Sequence, residues 1–325
     1  MYSKEDLVLG LDIGYSACKC VLMHKDGTTI KKFKFPSYIG ITKSNIEGVQ
    51  NPDILHYDEN YYFVGEKARH LPSQNLVDIT EYKNLEYFGP LFVHWALKTA
   101  GVLETGVSKI VSGLSIAQIQ NSGYFQDAIS HYVVDGKEYQ HDVLLLPQGA
   151  GAKLAYDKFG PDYPTELKEF LGEATYVLVD GGFNTLDLLL VHEGKTDPNL
   201  FEGVEKSGVM RIASQMAKII HEKHQRELSL QEAREVLDSG IYKLRGQRYN
   251  YSEEVKKLKE DFLKEILNLV NERYGAIIDK ADFIVIGGGI SYLFKDSQDG
   301  FIKVIKNDSE YYNAIGEALY ALQNS

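Results

Sequence analysis

A chain of 325 residues that is 44% hydrophobic and 25% charged can bury a sizeable core, and its length suits two domains better than one. That composition argues against disorder except at the chain's ends, and the formal net charge of −11 argues against a broad nucleic-acid-binding face. No apolar run approaches the ~20 residues needed to cross a membrane, and the start "MYSKEDLVLG" lacks the apolar core of a secretory signal, so a cytoplasmic protein is expected.

Leu7 to Ile13 reads as a buried strand. "ACKCVLM", Ala17 to Met23, follows after a tight turn at Gly14, Tyr15 and Ser16. "KDG" is a second turn, and "TTIKKFKF" alternates apolar and polar as a third strand, so the chain opens with a three-stranded meander. Cys18 and Cys20 sit two apart in a strand and share a face. They read as buried apolar residues, not as a disulfide.

Residues from about 36 to 82 lack a helical period, and "LHYDENYYFVGEKA" looks like a hairpin turning at Asp58, Glu59 and Asn60. "EYFGPLFVHWALKTAGV" carries apolar residues at helical spacing and stops at Gly101. "SKIVSGLSI" is a short buried strand. "HDVLLLPQGAGAKLAYDKF" is a strand, then Pro147, then a helix with small residues in its first turn.

A second β-rich meander runs from Tyr176 to about Val204. "SGVMRIASQMAKIIHEKH" predicts a helix opened by Ser207 and Gly208. "SLQEAREVLDSG" predicts a short helix capped by Ser229, with Glu232 at the capping-box position. "SEEVKKLKEDFLKEILNLVNERYG" predicts a long amphipathic helix. "ADFIVIGGGI" is a buried strand running into three glycines, with "SYLF" starting a helix after it. "YNAIGEALYAL" is a last helix.

The two halves share this layout. Each opens with an apolar strand that reaches an Asp-x-Gly turn, Asp12-Ile13-Gly14 in one and Asp180-Gly181-Gly182 in the other. Glycine-rich hairpin turns can expose consecutive backbone N–H groups that cradle an anion. An acid beside a phosphate repels it directly, but it can hold Mg²⁺ or the waters of Mg²⁺, and the cation bridges to phosphate oxygens. Lys19, on the outgoing strand of the first hairpin, can supply positive charge to a β- or γ-phosphate. Asp187 repeats an acid inside the resumed apolar strand and needs a partner; it can serve bound water or a salt bridge. "VIGGGI" offers bare backbone to a nucleoside, but it is not a dinucleotide fingerprint. Gln148, between a strand end and a helix start, can orient a water for attack on a terminal phosphate or can simply begin a helix.

Some features carry less. "GKT" at Gly194 to Thr196 lacks the first glycine of a Walker A loop and reads as a hairpin turn. His221 and His224 lie three apart on a helix with no third ligand evident, so a solvated face is expected there. Asn307-Asp308-Ser309 is a sequon without meaning in a cytoplasmic protein.

Taken together, "LDIGYSACK", "LLPQGAGA", "LVDGGFNTLDLLL", "IVIGGGISYL" and "NAIGEALYAL" resemble, in order, the first phosphate loop, the first connecting segment, the second phosphate loop, the adenosine segment and the second connecting segment of the actin, Hsp70 and sugar-kinase superfamily. The order in the chain is phosphate, connecting, phosphate, adenosine, connecting. Within it, length and pattern are most similar to actin-like proteins of the ParM/StbA plasmid-segregation type and their archaeal relatives, and "VSGLSIAQI" resembles a strand-turn segment of that group. The resemblance implies an α/β actin-like fold, with two ribonuclease-H-like α/β domains around a nucleotide cleft. Residues 1–155 would form domain I, with an inserted subdomain at about 36–82 and completion by a C-terminal helix at 309–325. Residues 156–308 would form domain II, with a helical insertion at about 225–260.

The resemblance also implies an ATPase that uses ATP or GTP with Mg²⁺. It would polymerise with itself into nucleotide-dependent filaments and segregate plasmid DNA through a DNA-bound adaptor, touching neither DNA nor membrane directly. Asp12 and Asp180 match the Mg²⁺-linked acids, acting through water, and Gln148 matches the residue that positions the attacking water. Lys19 matches the phosphate lysine. Gly14, Tyr15, Ser16, Gly181, Gly182, Asn184 and Thr185 match phosphate-loop positions, and Gly287, Gly288 and Gly289 match the adenosine loop. Gln148 follows actin, where ParM has Glu; Phe183 stands where ParM keeps a second glycine. A small-molecule kinase or phosphohydrolase of the same superfamily is the alternative, although Gln148 is a poor base for that chemistry.

Overall fold

The computed structural model describes residues 2–43, 51–79, 81–159 and 172–325; of Ser73, Ala117, Gln120 and Asn121 only the backbone is described. The chain divides into two compact units, Met1–Gly160 with Glu310–Ser325, and Pro161–Ser309.

Unit 1 is organised by a five-stranded sheet. The meander expected at its start is present as β1 (Leu7–Ile13), β2 (Ala17–His24) and β3 (Thr29–Pro36). Leu7, Leu9, Leu11 and Ile13 face one side of the sheet and Val8 the other, so β1 is buried on both faces and reads as an unbroken apolar run. Three further strands follow, β4 (Ile39–Thr42), β5 (Leu55–Tyr57) and β6 (Asn60–Val64). They pair antiparallel in a separate small sheet, order β4-β6-β5. The hairpin at Asp58-Glu59 is therefore as expected.

After a single turn of helix, α1 (Glu66–Arg69), comes α2 (Tyr82–Ala100), which starts at the edge of the region read as irregular and ends at Gly101 in the left-handed conformation. Leu85, Phe88, Leu91, Phe92, Ala96 and Leu97 of α2 cover the odd-numbered side chains of β1. The sheet is completed by β7 (Lys109–Leu114), followed by α3 (Ser122–Ser130), the hairpin β8 (His131–Val134) and β9 (Lys137–Gln140), and then β10 (Val143–Pro147). β7 runs parallel to β1 and β10 parallel to β7, in the order β10-β7-β1-β2-β3. Helix α4 (Ala150–Phe159) follows at once.

Unit 2 repeats this plan. β11 (Tyr176–Gly181), β12 (Leu186–His192) and β13 (Lys195–Val204) form an antiparallel meander. The Glu193-Gly194 turn between the last two has positive φ at both residues, as a two-residue hairpin requires. Then come α5 (Met210–His224), α6 (Leu230–Ser239), a hairpin of β14 (Ile241–Leu244) and β15 (Gln247–Asn250), and α7 (Ser252–Ile278). β16 (Phe283–Gly288) lies parallel to β11, and β17 (Ile302–Val304) parallel to β16. The order β13-β12-β11-β16-β17 is the order of unit 1 read from its meander edge. Val177, Val179, Leu186, Leu188 and Leu190 pack with Ile212, Met216, Val236, Phe262 and Ile266 of the helices.

Ser229 caps α6 in a full capping box with Glu232, as its sequence predicts. The last helix, α8 (Tyr312–Gln323), returns to unit 1, where Ala314, Ala318 and Leu319 cover Val8, Val21, Met23 and Val111.

Two expectations about helix starts are corrected. Ser207 and Gly208 do not cap α5, which begins at Met210. "SYLF" does not start a helix either: Ser291–Leu293 makes one 3₁₀ turn and Phe294 is extended. The segment after it is rich in short polar residues that bond locally. Asp296 accepts from the Val304 N–H, and Asp299 from the Phe301 N–H. Such side-chain acceptors compete with helical hydrogen bonding.

Candidate nucleotide-handling site

The unit 1 site is built on the end of β1. Asp12 lies directly opposite Lys19 of β2, so a spacing of seven in sequence becomes a cross-strand pair. Lys19 Nζ donates to Asp12 Oδ2 at 3.0 Å. Gln148, just past the end of β10, donates from Nε2 to Asp12 Oδ1 at 2.9 Å. Three residues that the sequence nominated separately therefore meet on one carboxylate. Asp12 is only 3% exposed, and a buried carboxylate of this kind needs such donors.

An ionised carboxylate only accepts hydrogen bonds. The Gln148 amide must then turn its NH₂ to Asp12 and present Oε1 on the other side. That oxygen is an acceptor with the polarity needed to orient a water proton. The side chain cannot act as a strong base, but a water attacking a phosphoryl group does not need one.

Gly14, Tyr15 and Ser16 form the turn of this hairpin. Ser37, just after β3, holds two of its carbonyls: Oγ donates to Gly14 O at 2.6 Å and the N–H to Ser16 O at 3.1 Å. Tyr15 packs half-buried against the unit 1 core. Cys18 and Cys20 are free and buried. Burial pushes the Cys18 thiol up to about 12 and the Cys20 thiol well above its ordinary value, so neither supplies a thiolate nucleophile.

In unit 2, Asp180 lies opposite Asp187 across the β11–β12 pair and beside Gly287 of β16. Both carboxylates are buried, at 6% and 2% exposure. Thr185 turns its hydroxyl to Asp187, donating from Oγ1 to Oδ2 at 3.4 Å. Asn184 is buried as well.

The turn between the strands differs from the open amide cradle that its glycines suggested. The Gly182 N–H is donated to Thr185 O at 2.9 Å, inside the turn. The turn's carbonyls face the start of α5. Gly182 O accepts from Val209, Phe183 O from Met210, and Asn184 O from both Ser207 and Gly208. This docking explains why Ser207 and Gly208 do not cap α5: their N–H groups fix the turn instead. The Phe183 ring packs against the unit 2 core, so its bulk is absorbed there.

The three glycines of "VIGGGI" close over Asp180. Gly288 has φ +69°, and a Cβ there would lie 2.4 Å from Asp180 Oδ1 and 2.6 Å from Gly181 O. Only glycine fits, on conformational and steric grounds together. Gly289 approaches the same Gly181 carbonyl, and the Ile290 N–H donates to it at 3.0 Å. Gly287 and Gly288 belong to β16 itself.

Of the remaining candidates, His224 is not on a solvated face. Its Nε2 lies 2.8 Å from the Tyr251 hydroxyl, and its ring packs against Tyr242 and Tyr249. Among the described residues no helix is long and apolar enough to cross a membrane.

Comparison with known proteins bears on the whole arrangement. Residues 10–151 match the family described as actin-like proteins, N-terminal domain, and residues 178–298 match the archaeal actin homologue MreB-like, C-terminal family. No curated protein matches the sequence. Among solved structures, Ta0583, an archaeal actin homolog, is 19% identical with a TM-score of 0.73, covering 98% of this chain and 100% of its own. A 15-stranded ParM filament from Clostridium botulinum is 19% identical with a TM-score of 0.69, covering 98% and 99%. Bacillus thuringiensis ParM solved with ATP is 16% identical with a TM-score of 0.62, covering 99% of each. Two adjacent actin-like family matches, laid on a chain whose two units share one sheet order, place this protein among the actin-like proteins.

Proposed function

We propose that this protein is an ATPase whose nucleotide cycle governs its assembly into filaments. The observation that carries the reading is the meeting of Lys19 and Gln148 on Asp12. A cation for phosphate, an amide acceptor for water and the acid that orients both converge at the end of β1 from three elements of one sheet. In unit 1, Lys19 neutralises phosphate charge and Gln148 orients the attacking water, which is the positioning work that phosphoryl transfer demands.

In unit 2, Asp180 faces Asp187, and two facing carboxylates suit a divalent cation. Among the described residues, no group of three or more His, Cys, Asp or Glu side chains is arranged to hold a metal ion. Mg²⁺ would therefore be held by Asp180, through water, and would fill its shell from phosphate oxygens. When bound, it supplies neutralisation of charge developing on the phosphoryl oxygens.

Relatives of the same fold support this reading. Ta0583 has been solved in complex with ADP, the Bacillus thuringiensis ParM with ATP, and the Clostridium botulinum ParM as a filament. ATP or GTP is the expected nucleotide and a second copy of the chain the expected partner. We further propose plasmid DNA as the cargo in the cytoplasm, reached through a basic DNA-bound adaptor, because the net charge of −11 disfavours direct contact with DNA.

The test combines light scattering with phosphate release. Nucleotide and Mg²⁺ should raise scattering, which should decay as phosphate is released. Gln148→Ala should bind nucleotide normally, hydrolyse about a hundredfold more slowly and hold its scattering longer. Absence of nucleotide-dependent scattering across salt and Mg²⁺ concentrations refutes the filament; a wild-type hydrolysis rate in Gln148→Ala refutes the water-orienting role.

A further inference from the structure

The Gln148 side chain can present Oε1 usefully only if its backbone is held still. Its own N–H donates to Leu114 O at 2.8 Å, which ties it to the end of β7. On its other side stands Gly149, with φ +85°, a left-handed conformation that glycine adopts readily but that something must hold in place. Asn313 of α8 does so. Its Oδ1 accepts from the Gly149 N–H at 2.9 Å and from the Ala152 N–H at 3.0 Å.

One side-chain oxygen thus takes two N–H groups at the start of α4, a helix end that otherwise lacks intrahelical partners for its first donors. The cap comes from 164 and 161 residues away in the chain. Asn313 is itself buried, at 8% exposure, so it is not a surface cap that solvent could replace. A second element of α8 closes the same spot. A Cβ on Gly113 of β7 would lie 2.5 Å from Glu317 Oε1 and 3.0 Å from Gln148 Cγ. The Gln148 stem therefore lies over bare backbone beside the Glu317 carboxylate, walled in by α8.

We propose that Asn313 is a positioning residue for the hydrolytic step, acting through the Gly149 turn to set where the Gln148 amide sits on Asp12. The proposal rests on the water-orienting reading of Gln148. It adds that α8 carries the residue on which the rate depends, although Asn313 need touch neither nucleotide nor water. A displacement of the Gln148 amide by even a fraction of the water's width is costly, since misplacement by about 1 Å can lower a rate on the order of a hundredfold.

The test is steady-state and single-turnover hydrolysis with ATP and Mg²⁺, alongside nucleotide affinity, for Gln148→Ala, Asn313→Ala, Asn313→Asp and the double Ala variant. Asn313→Ala should lower kcat about tenfold or more while KM and nucleotide affinity stay within about twofold of the original. Asn313→Asp keeps an acceptor at a helix N-terminus, where an acid is favoured, and should recover most of the rate. In the double variant the two losses should not multiply, because both act on one amide. A wild-type kcat in Asn313→Ala beside a slow Gln148→Ala overturns the inference alone. So do multiplying losses, or a slow Asn313→Asp that melts normally. A wild-type rate in Gln148→Ala removes the reading beneath it and the inference with it.

Discussion

The hairpins β1–β2 and β11–β12 hold the same place in two sheets of the same order, yet they carry opposite electrostatics. Asp12 faces Lys19, and Asp180 faces Asp187. The first hairpin is balanced by its own residues. The second stacks two acids across a buried strand pair. Under the function proposed above, the two hairpins of one repeated sheet order would divide the chemistry: the first would supply a cation and an oriented amide, the second the acid that holds Mg²⁺ through water.

That contrast can be broken experimentally. The largest effect is expected for Asp180→Ala, which removes the acid proposed to hold Mg²⁺ and should lower hydrolysis on the order of a thousandfold, about 4 kcal/mol of barrier; phosphate release measures it. Next, Lys19→Met leaves Asp12 buried without its cation. It should destabilise the chain by about 3 kcal/mol, read as a drop in denaturant midpoint with unchanged slope. Gly288→Ala forces a Cβ against Asp180 and into a positive-φ conformation. It should cost roughly 2 kcal/mol and reduce Mg²⁺-nucleotide affinity, both accessible by thermal melting with and without ligand.

The smallest effect is the most informative for the comparison. Asp187→Asn relieves the like-charge pairing of the second hairpin. It should raise apo stability by about 1 kcal/mol and shrink the stabilisation that Mg²⁺-nucleotide confers. If the variant instead melts lower in the apo state and gains as much from ligand, the two hairpins do not divide the chemistry as described.

A pH test concerns unit 1 alone. His94 is buried with its Nδ1 lacking a hydrogen-bond partner among the described residues, and burial lowers its pKa from 6.5 to about 4. In the unfolded chain it binds a proton below about 6.5, whereas the folded chain resists until about 4. Stability is therefore fully present above about 6.5 and is lost as pH falls from there toward 4. Replacing His94 with Phe should make that part of the melting-versus-pH curve shallower, leaving the share due to His141, whose pKa burial also lowers to about 4.

Several of these features are legible in the chain, and others are not, for physical reasons. The meanders show because apolar runs bounded by Asp and Gly are local signals. Asp12 and Lys19 each stood out as candidates, but not as partners: their bond follows from a hairpin register that neither residue shows alone. Gln148 is marked by its place between strand and helix and by the family resemblance; its bond to Asp12 joins residues 136 apart, beyond any local pattern. Asn313 and the docking of residues 207–210 onto the second turn were invisible for the same reason. The hairpins β8–β9 and β14–β15 carried a usable signal, Asp135-Gly136 and Arg245-Gly246 with positive φ at all four residues, but strands of four residues give too little alternation to stand out. The helix expected after Ile290 failed because Ser, Asp and Gly there bond to their neighbours.

Helix α8 also sets an order of events. Unit 2 is encoded without interruption, as residues Pro161–Ser309, whereas the sheet of unit 1 waits for Ala314 and Ala318 before its second face is covered. During synthesis the first 160 residues therefore emerge with Val8, Val21, Met23 and Val111 exposed, while unit 2 has all its own elements in hand first. Contacts of that sequence separation are slow to close and leave apolar strands open to wrong partners. The segment that caps α4 is thus also the one that ends the chain's vulnerability to aggregation, and ribosome-bound chains stalled before residue 310 should bind chaperones until it arrives.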